Sequence, residues 1–398
     1  MKKFITILLS VLCVLSLCAC SGGNNGGNEG GNDGGEDNVV TIKLGASGPL
    51  SGDAKVYGEA VRNAAQIAVD EINASASPIK FDFFMEDDQA DPEKAVTAYS
   101  TLYDKGMQVS LFTVTSGAGA AVAANYDEDQ IFAITPSGSS TDLIYTDSKN
   151  FSGNFQMCFT DPNQGVASAD YMAANFADAA IAVIYKSDDV YSAGVYEKFD
   201  AESKAKSLNV VYAGAFTADS STDFSTQLTA AKDAGATLLY LPIYYQPASL
   251  ILKQANDMGF APTVFGIDGM DGILTLEGFD TSLAEGVYLL TPYAADDPSP
   301  LNQAFVAAYQ GKFGDTPNQF AADAYDCVYA LHQALISIGA DKADYNFDNL
   351  YVDLIGEFNS MYFNGLTGEN MTWANNGEVS KAPKAVIITN GVYVSAEQ

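Results

Sequence analysis

The segment that decides the fold class is Val40-Thr-Ile-Lys-Leu-Gly45, which continues as Ala-Ser-Gly-Pro-Leu-Ser-Gly52. Its first half is rich in apolar and β-branched residues, which is typical of a strand, and its second half is a Gly/Ser turn. Small apolar residues then recur at helical spacing, at Val61, Ala64, Ala65, Ala68 and Ile72. A strand, a small-residue loop and a helix in this order predict the βα unit of a parallel sheet.

The same unit recurs along the chain in two series. The first series contains predicted strands at Ile79–Met85, Met107–Thr113 and Gln130–Thr135, and a helix that opens with Asp91-Pro92. The second contains strands at Ala180–Tyr185, Asn209–Ala213, Ala236–Leu241 and Thr263–Phe265, separated by helices near 191–207, 223–234 and 247–258. After residue 299 the chain is mostly helical, and Asn390-Gly391 predicts a closing hairpin of Val386–Thr389 and Val392–Ser395. Two series predict an α/β fold with two doubly wound parallel sheets.

The composition excludes several classes of function. Hydrophobic residues make up 47% of the 398 residues, which is enough for a large core. The chain has 50 acidic against 19 basic residues and a net charge of −31, which argues against nucleic-acid binding because the protein repels phosphate backbones. Arg62 is the only arginine, and His332 is the only histidine, which excludes multi-histidine metal sites. We therefore expect no metal and no cofactor.

Residues 1–19 have the layout of a secretory signal peptide. Lys2 and Lys3 give a short positive region, and the apolar run from Phe4 to Cys18 is short for a membrane span. The run ends in Leu17-Cys18-Ala19-Cys20, which resembles the lipobox of bacterial lipoproteins. The resemblance implies cleavage before Cys20 and lipidation of its sulfur, which would anchor the protein on the extracellular face of the cell membrane. The alternative is an ordinary signal peptide with an incidental cysteine.

Residues 20–38 are expected to comprise the lipidated cysteine and a flexible tether. Ser21 to Asn38 contains eight Gly, five Asn, four acidic residues and one Ser, and offers no apolar side chain to a core. Beyond this region only Cys158 and Cys327 remain of the five cysteines. We expect free buried thiols there, because two cysteines do not form a disulfide framework, although the two could pair.

Three loops that follow predicted strands of the first series are rich in Gly and Ser. They are Gly45–Gly52, Thr115–Gly119 and Thr135–Thr141. Ligands of open α/β sheets bind beyond the carboxyl ends of the strands, where small residues let backbone N–H groups approach an anion. None of these loops has the spacing of a Walker loop or of a dinucleotide fingerprint. Plain turn chemistry would explain one such loop, but three favour a shared pocket of carboxylate size.

At this point the motifs resemble a known family, the Leu/Ile/Val-type substrate-binding proteins of ABC importers. The opening match is Gly45-x-x-Gly-Pro-Leu-Ser-Gly52 with Tyr57-Gly58 and Ala68-Val-Asp-Glu-Ile-Asn73. Further matches are Glu86-Asp-Asp-x-x-Asp-Pro92, Ile134-Thr-Pro136, Asp223-Phe-Ser225 and Ile251-Leu-Lys-Gln-Ala255. The resemblance extends from about residue 40 to about residue 380. It implies the type I periplasmic-binding-protein fold, in which two lobes are joined by a hinge of three crossovers.

The resemblance also implies boundaries for the lobes. We expect lobe 1 at residues 39–160 plus 292–368 and lobe 2 at residues 161–291 plus 369–398, with crossovers near 159–162, 290–293 and 366–372. It further implies a binding site between the lobes. Carried over by motif, Ser116 and Ser139 would hold the α-carboxylate of an amino acid, and Asp268 would accept its ammonium. Tyr244, Tyr57, Tyr191 and Tyr325 would be the aromatic residues of the cleft.

Some positions depart from the family pattern or have another interpretation. Ser139 replaces a threonine and Asp268 a glutamate, and the family disulfide has no counterpart because Ala90 and Thr115 occupy its positions. Tyr57 and Tyr325 could instead be core aromatics, and Asp268 a turn or cap residue.

Three functions compete at this stage. The leading one is a monomeric binding lipoprotein that captures a small amino acid, branched-chain or related, and delivers it to the membrane permease of an ABC importer. A sensory protein with the same two lobes is the second. The third, a serine hydrolase, lacks a base, because the only histidine lies far from Ser116 and Ser139 in sequence. The identity of the ligand stays open, and an amide or urea is a further alternative.

Overall fold

The computed structural model describes residues 39–396, and its first sheet is parallel throughout. The strands of this sheet lie in the order β2-β1-β3-β4-β7. Their bounds are β1 Val40–Gly48, β2 Ile79–Asp87, β3 Val109–Ser110, β4 Phe132–Thr135 and β7 Asn154–Gln156. A separate two-stranded ribbon, β5 Tyr145–Thr146 with β6 Lys149–Asn150, lies between β4 and β7 in the chain. The alternating order along the chain confirms the predicted βα architecture.

Six helices belong with this first sheet, and together with it they form the first lobe. They are α1 Lys55–Ala74, α2 Pro92–Asp104, α3 Ser116–Glu128, α8 Pro300–Phe313, α9 Gln319–Ser337 and α10 Leu350–Phe358. Asp91 caps α2 as predicted, because its side chain accepts hydrogen bonds from the backbone N–H groups of Glu93 and Lys94. In the opening motif Gly58 must lack a side chain, since a Cβ there would lie 2.0 Å from the Pro49 carbonyl oxygen.

The second sheet has seven strands in the order β14-β13-β12-β11-β10-β8-β9. Their bounds are β8 Ile181–Lys186, β9 Val210–Phe216, β10 Leu238–Leu241, β11 Thr263–Gly266, β12 Tyr288–Thr291, β13 Lys384–Thr389 and β14 Val392–Ser395. Helices α4 Asp161–Asn175, α5 Val190–Ala205, α6 Ser225–Asp233 and α7 Tyr245–Asp257 complete the second lobe. The strands β8 to β12 are parallel, and β13 and β14 form the antiparallel hairpin that Asn390-Gly391 predicts.

One predicted strand is much shorter than expected. The sequence predicts a strand over Met107–Thr113, but the structure has only Val109–Ser110. Phe112 has a φ of 57°, in the left-handed region, which ends the extended conformation. The backbone therefore turns at Phe112 into the loop that leads to Ser116.

The chain passes between the two sheets three times. The first two crossings lie between β7 and α4 and between β12 and α8. Before the third crossing, Trp373 Nε1 donates to the carbonyl of Gln156 at 2.9 Å, and Gln156 N–H donates to the carbonyl of Gly377 at 3.0 Å. Residues 373–377 thus pack on β7 of the first lobe, so we place the third crossing between Val379 and Lys384 rather than at 366–372.

A buried ion pair holds the chain at this third crossing. Lys381 Nζ lies 2.5 Å from Asp323 Oδ1 of α9, and both side chains are 1% exposed. Thr367 accepts a hydrogen bond from Lys381 and donates one to Asp326, each at 2.7 Å. Removing one partner of such a pair leaves an uncompensated buried charge, so this network fixes the crossing to α9.

The two cysteines of the described region, Cys158 and Cys327, are free and buried, which confirms that prediction. The signal peptide, the tether and Cys20 lie outside the described residues.

Candidate functional site

A small cavity lies between the two lobes, at the loops that follow the strands of both sheets. It contains about 230 Å³ of space between atoms, including open solvent at its mouth. The lining residues are Tyr57, Val114, Thr115, Ser116, Ser137, Ser139, Tyr191, Tyr244, Asp268, Gly269 and Phe320. Six of the seven ligand-binding residues predicted from the sequence are thus brought together, and no residue of this lining is basic.

The first lobe contributes hydroxyl and N–H groups to the cavity. Ser116 is the first residue of α3, so its backbone N–H is one of the groups that a helix leaves unpaired at its N-terminus. These N–H groups and the helix dipole favour an anion at this position. The Ser116 hydroxyl accepts a hydrogen bond from the Ser140 N–H at 3.1 Å, which fixes the two loops to one another. Ser139 lies next to Ser140 on the loop Thr135–Thr141 and also lines the cavity.

The second lobe contributes the Asp268 carboxylate, which follows β11. Gln164 Nε2 donates to its Oδ2 at 2.7 Å, and the Tyr191 hydroxyl donates to its Oδ1. Burial raises the pKa of Asp268 to about 7, although the hydrogen bonds from Tyr191, the Gly269 backbone and Gln164 act in the opposite direction. The carboxylate is therefore buried and oriented, but among residues 39–396 no Lys, Arg or His forms an ion pair with it.

Asp161 is a second buried carboxylate, bonded to Ser139 but not in the lining of the cavity, and the sequence analysis did not single it out. Its side chain is 2% exposed, and neither carboxylate oxygen has a hydrogen-bond partner of good geometry in the described chain. Burial raises the pKa of Asp161 well above its ordinary value, and the charge of Asp268 acts in the same direction, while the nearby Ser139 hydroxyl offsets part of this effect. Its backbone N–H donates to the Ser139 carbonyl at 2.9 Å, which places it next to the predicted anion site.

Aromatic rings form most of the remaining wall. Tyr191 and Tyr244 stack with centroids 5.1 Å apart, and Tyr57 contacts Tyr244 edge-on at 5.3 Å and Phe320 at 4.7 Å. Tyr57 belongs to the first lobe, yet its hydroxyl donates to the Gly269 carbonyl and accepts from the Tyr245 N–H at 3.2 Å, both in the second lobe. The backbone N–H of Val56 likewise donates to the Tyr245 hydroxyl of the opposite lobe at 3.4 Å. The cleft is closed in this structure.

Tyr325 does not line the cavity, and the prediction that it does was wrong. Its hydroxyl donates to Glu71 Oε2 at 2.7 Å, and its ring contacts Phe305 at 4.8 Å within the first lobe. Phe320, which does line the cavity, lies five residues earlier on the same helix. At 3.6 residues per turn, five residues rotate the direction of the side chain by roughly 140°. Tyr325 therefore packs on α1 as a core residue.

The described residues provide no metal site, no membrane-spanning helix and no histidine placed as a catalytic base. Between residues 39 and 396 no three His, Cys, Asp or Glu side chains are placed to hold a metal ion. In the same range no helix is both long and apolar enough to cross a membrane. His332 lies 2.7 Å from the Ser77 hydroxyl at the end of α1 and does not line the cavity, so it is not placed to activate Ser116 or Ser139.

A comparison with protein-family models identifies the family to which the chain belongs. The sequence model of the periplasmic binding protein family matches residues 41–388. The chain belongs to this family. The match agrees with the range of about 40 to 380 expected from the motifs, and it confirms the type I periplasmic-binding-protein fold.

Individual relatives of this periplasmic binding protein agree with the assignment. A Leu/Ile/Val-binding protein of Rhizobium johnstonii is 27% identical over 302 residues, which cover 75% of this chain and 80% of that protein. The branched-chain amino acid transporter substrate-binding protein of Streptococcus pneumoniae, solved in complex with isoleucine, is 26% identical with a TM-score of 0.78. That match covers 89% of this chain and 98% of the other.

A third relative shares the fold at lower identity. It is a solute-binding protein of an ABC transporter from R. palustris, solved in complex with benzoate, and it is 19% identical with a TM-score of 0.79. That match covers 90% of this chain and 96% of the other. This periplasmic binding protein is thus a substrate-binding protein of the ABC-transporter type and not an enzyme.

Proposed function

We propose that the protein captures a small zwitterionic α-amino acid, branched-chain or related, outside the cell and delivers it to the permease of an ABC importer. The observation that carries the proposal is the charge pattern of the cavity. Hydroxyl and N–H donors of Ser116 and Ser139 face one side of the cavity, and the buried carboxylate of Asp268 faces the other, with no basic residue in the lining. A ligand that carries both a carboxylate and an ammonium satisfies both ends.

The relatives bind two kinds of ligand, and the charges of this site favour one of them. Isoleucine, in the Streptococcus pneumoniae structure, has a carboxylate and an ammonium, whereas benzoate, in the R. palustris structure, has only the carboxylate. An aromatic acid would leave Asp268 without a cationic partner and would place a second negative charge in the same buried site, which is unfavourable. The described residues therefore fit the amino acid better.

The test is the binding of amino acids to wild type and to Asp268→Asn. A thermal-shift screen of the twenty amino acids and benzoate identifies the ligand, since a ligand at 100 times its Kd stabilises a protein by roughly 2.7 kcal/mol. Calorimetry should then show that Asp268→Asn loses roughly 2–5 kcal/mol of binding free energy, because the ammonium loses its charged partner. Ser116→Ala should lose only about 1–2 kcal/mol, because backbone N–H groups still hold the carboxylate.

Asp233→Asn is the matched control, because Asp233 is exposed on α6 and far from the cavity lining. It should bind the ligand as wild type does. If Asp268→Asn also binds as wild type does, the ligand carries no ammonium at this carboxylate, and an amide or urea becomes the better candidate. Tight binding of benzoate alone would contradict the proposal.

We further propose that Cys20 carries a lipid that anchors the protein on the extracellular face of the membrane. The proposal is supported by the sequence Leu17-Cys18-Ala19-Cys20 and by the Gly/Asn-rich segment that follows it. Cys20→Ser should release the protein into the medium or leave an unprocessed precursor, as fractionation and immunoblotting would show. Cys13→Ser, within the apolar run, is the control and should stay in the membrane fraction. Wild-type retention of processed Cys20→Ser would contradict the lipid anchor.

A further inference from the structure

Thr115 lines the cavity, and no group of the described chain forms a hydrogen bond with its hydroxyl. Thr115 is the N-cap residue of α3, where a threonine ordinarily accepts a hydrogen bond from a backbone N–H of the first turn. Its side chain makes no such bond. Thr115 is 4% exposed, and its Oγ1 has no hydrogen-bond partner. Because a buried hydroxyl without a partner is costly, this atom points to a hydrogen-bonding group on the ligand.

The inference rests on the proposed function, which assigns the two charged ends of the ligand. In that proposal the ligand carboxylate faces Ser116 and Ser139, and the ligand ammonium faces Asp268. Thr115 is adjacent to these groups but is needed by neither end, so its hydroxyl is left for the side chain of the ligand. Ser137, which lines the same cavity, adds a second small hydroxyl residue to this part of the wall.

The size of the cavity limits that side chain. The space between atoms is only about 230 Å³ even when open solvent at the mouth of the cavity is included, so the site in this closed form is small. Three tyrosines and Phe320 occupy much of the space between the lobes. A ligand of few atoms fits such a closed site better than one with a long or aromatic side chain.

We propose that Thr115 is a specificity-determining residue that selects a small hydroxyl-bearing amino acid, of the serine and threonine class, over its aliphatic isostere. A ligand hydroxyl can both donate to and accept from Thr115 Oγ1, whereas a methyl group leaves that oxygen unpaired. A site built to bond a substrate hydroxyl rejects the analogue that lacks it for this reason.

The test compares threonine with valine, which have nearly the same shape. Calorimetry should show that wild type binds threonine about tenfold more tightly than valine, the ratio expected for one buried hydrogen bond. Thr115→Val should bind the two amino acids with nearly equal affinity, and Thr115→Ser should keep the preference. Thr97→Val, at an exposed position of α2, is the matched control and should keep the wild-type ratio.

Several outcomes would overturn the proposal. If the wild-type protein binds valine as tightly as threonine, the site does not select a ligand hydroxyl. This comparison uses only the wild-type protein, so it does not depend on whether a variant folds. A preference that survives in Thr115→Val assigns the selection to another residue. An equal loss for both amino acids shows that Thr115 serves a group common to both ligands, such as the carboxylate. If no amino acid binds at all, the proposed function itself fails, which is distinguishable from each of these results.

Discussion

At the scale of single residues, the site depends on the ionisation of the buried Asp268 carboxylate. Burial raises the pKa of Asp268 to about 7. A carboxyl group can pair with the ligand ammonium only when it is ionised, and the ammonium then favours the ionised form. Binding below pH 7 is therefore expected to release a proton, so the affinity should rise with pH.

The affinity for the amino acid should increase by up to about tenfold per pH unit between pH 5.5 and 7 and level off above pH 7. Calorimetry across this range, in buffers of different ionisation enthalpy, measures both the affinity and the released proton. Asp268→Asn should lose this pH dependence, because the titrating group is gone, while Asp233→Asn should follow wild type. An affinity that is constant from pH 5.5 to 7.5 would show that Asp268 does not change its ionisation on binding.

At the scale of secondary structure elements, the sequence predicts the position of most site residues. Ser116, Ser139 and Asp268 follow parallel strands, and the carboxyl ends of such strands meet at one edge of each sheet. Knowing that three strands end in Gly/Ser loops was therefore enough to predict a shared pocket. The roles of these residues came from the resemblance to the family.

Other site features could not be predicted because their signals have a simpler explanation. Asp161 lies in the first turn of α4, where an acidic residue is common because it complements the helix dipole. Only its burial and its carboxylate oxygens without hydrogen-bond partners distinguish Asp161 from an ordinary acidic residue in a first helical turn. Gln164 has no motif at all, and its role follows from the hydrogen bond to Asp268. Tyr325 was misassigned because the orientation of its side chain depends on how α9 is rotated about its axis. The presence of an aromatic residue in the sequence does not reveal that rotation.

At the scale of the whole molecule, the two lobes meet through a few polar contacts, and Tyr57 makes two of them. Its hydroxyl bridges the Gly269 carbonyl and the Tyr245 N–H across the cleft. Hinge closure around a ligand is favoured only by contacts that exist in the closed form. Because Tyr57→Phe removes these hydrogen bonds but keeps the ring, it should shift the equilibrium toward the open form and weaken ligand binding about tenfold.

Small-angle scattering and calorimetry on the same samples measure both effects. For wild type, saturating amino acid should lower the radius of gyration, because the lobes close on the ligand. Tyr57→Phe should need more ligand to reach the same decrease, in proportion to its loss of affinity. The matched control is Tyr325→Phe, which removes a hydroxyl of the same kind from the bond to Glu71 inside the first lobe and should close as wild type does. A radius of gyration that the ligand leaves unchanged in wild type would contradict closure, and wild-type affinity in Tyr57→Phe would show that its hydroxyl does not stabilise the closed form.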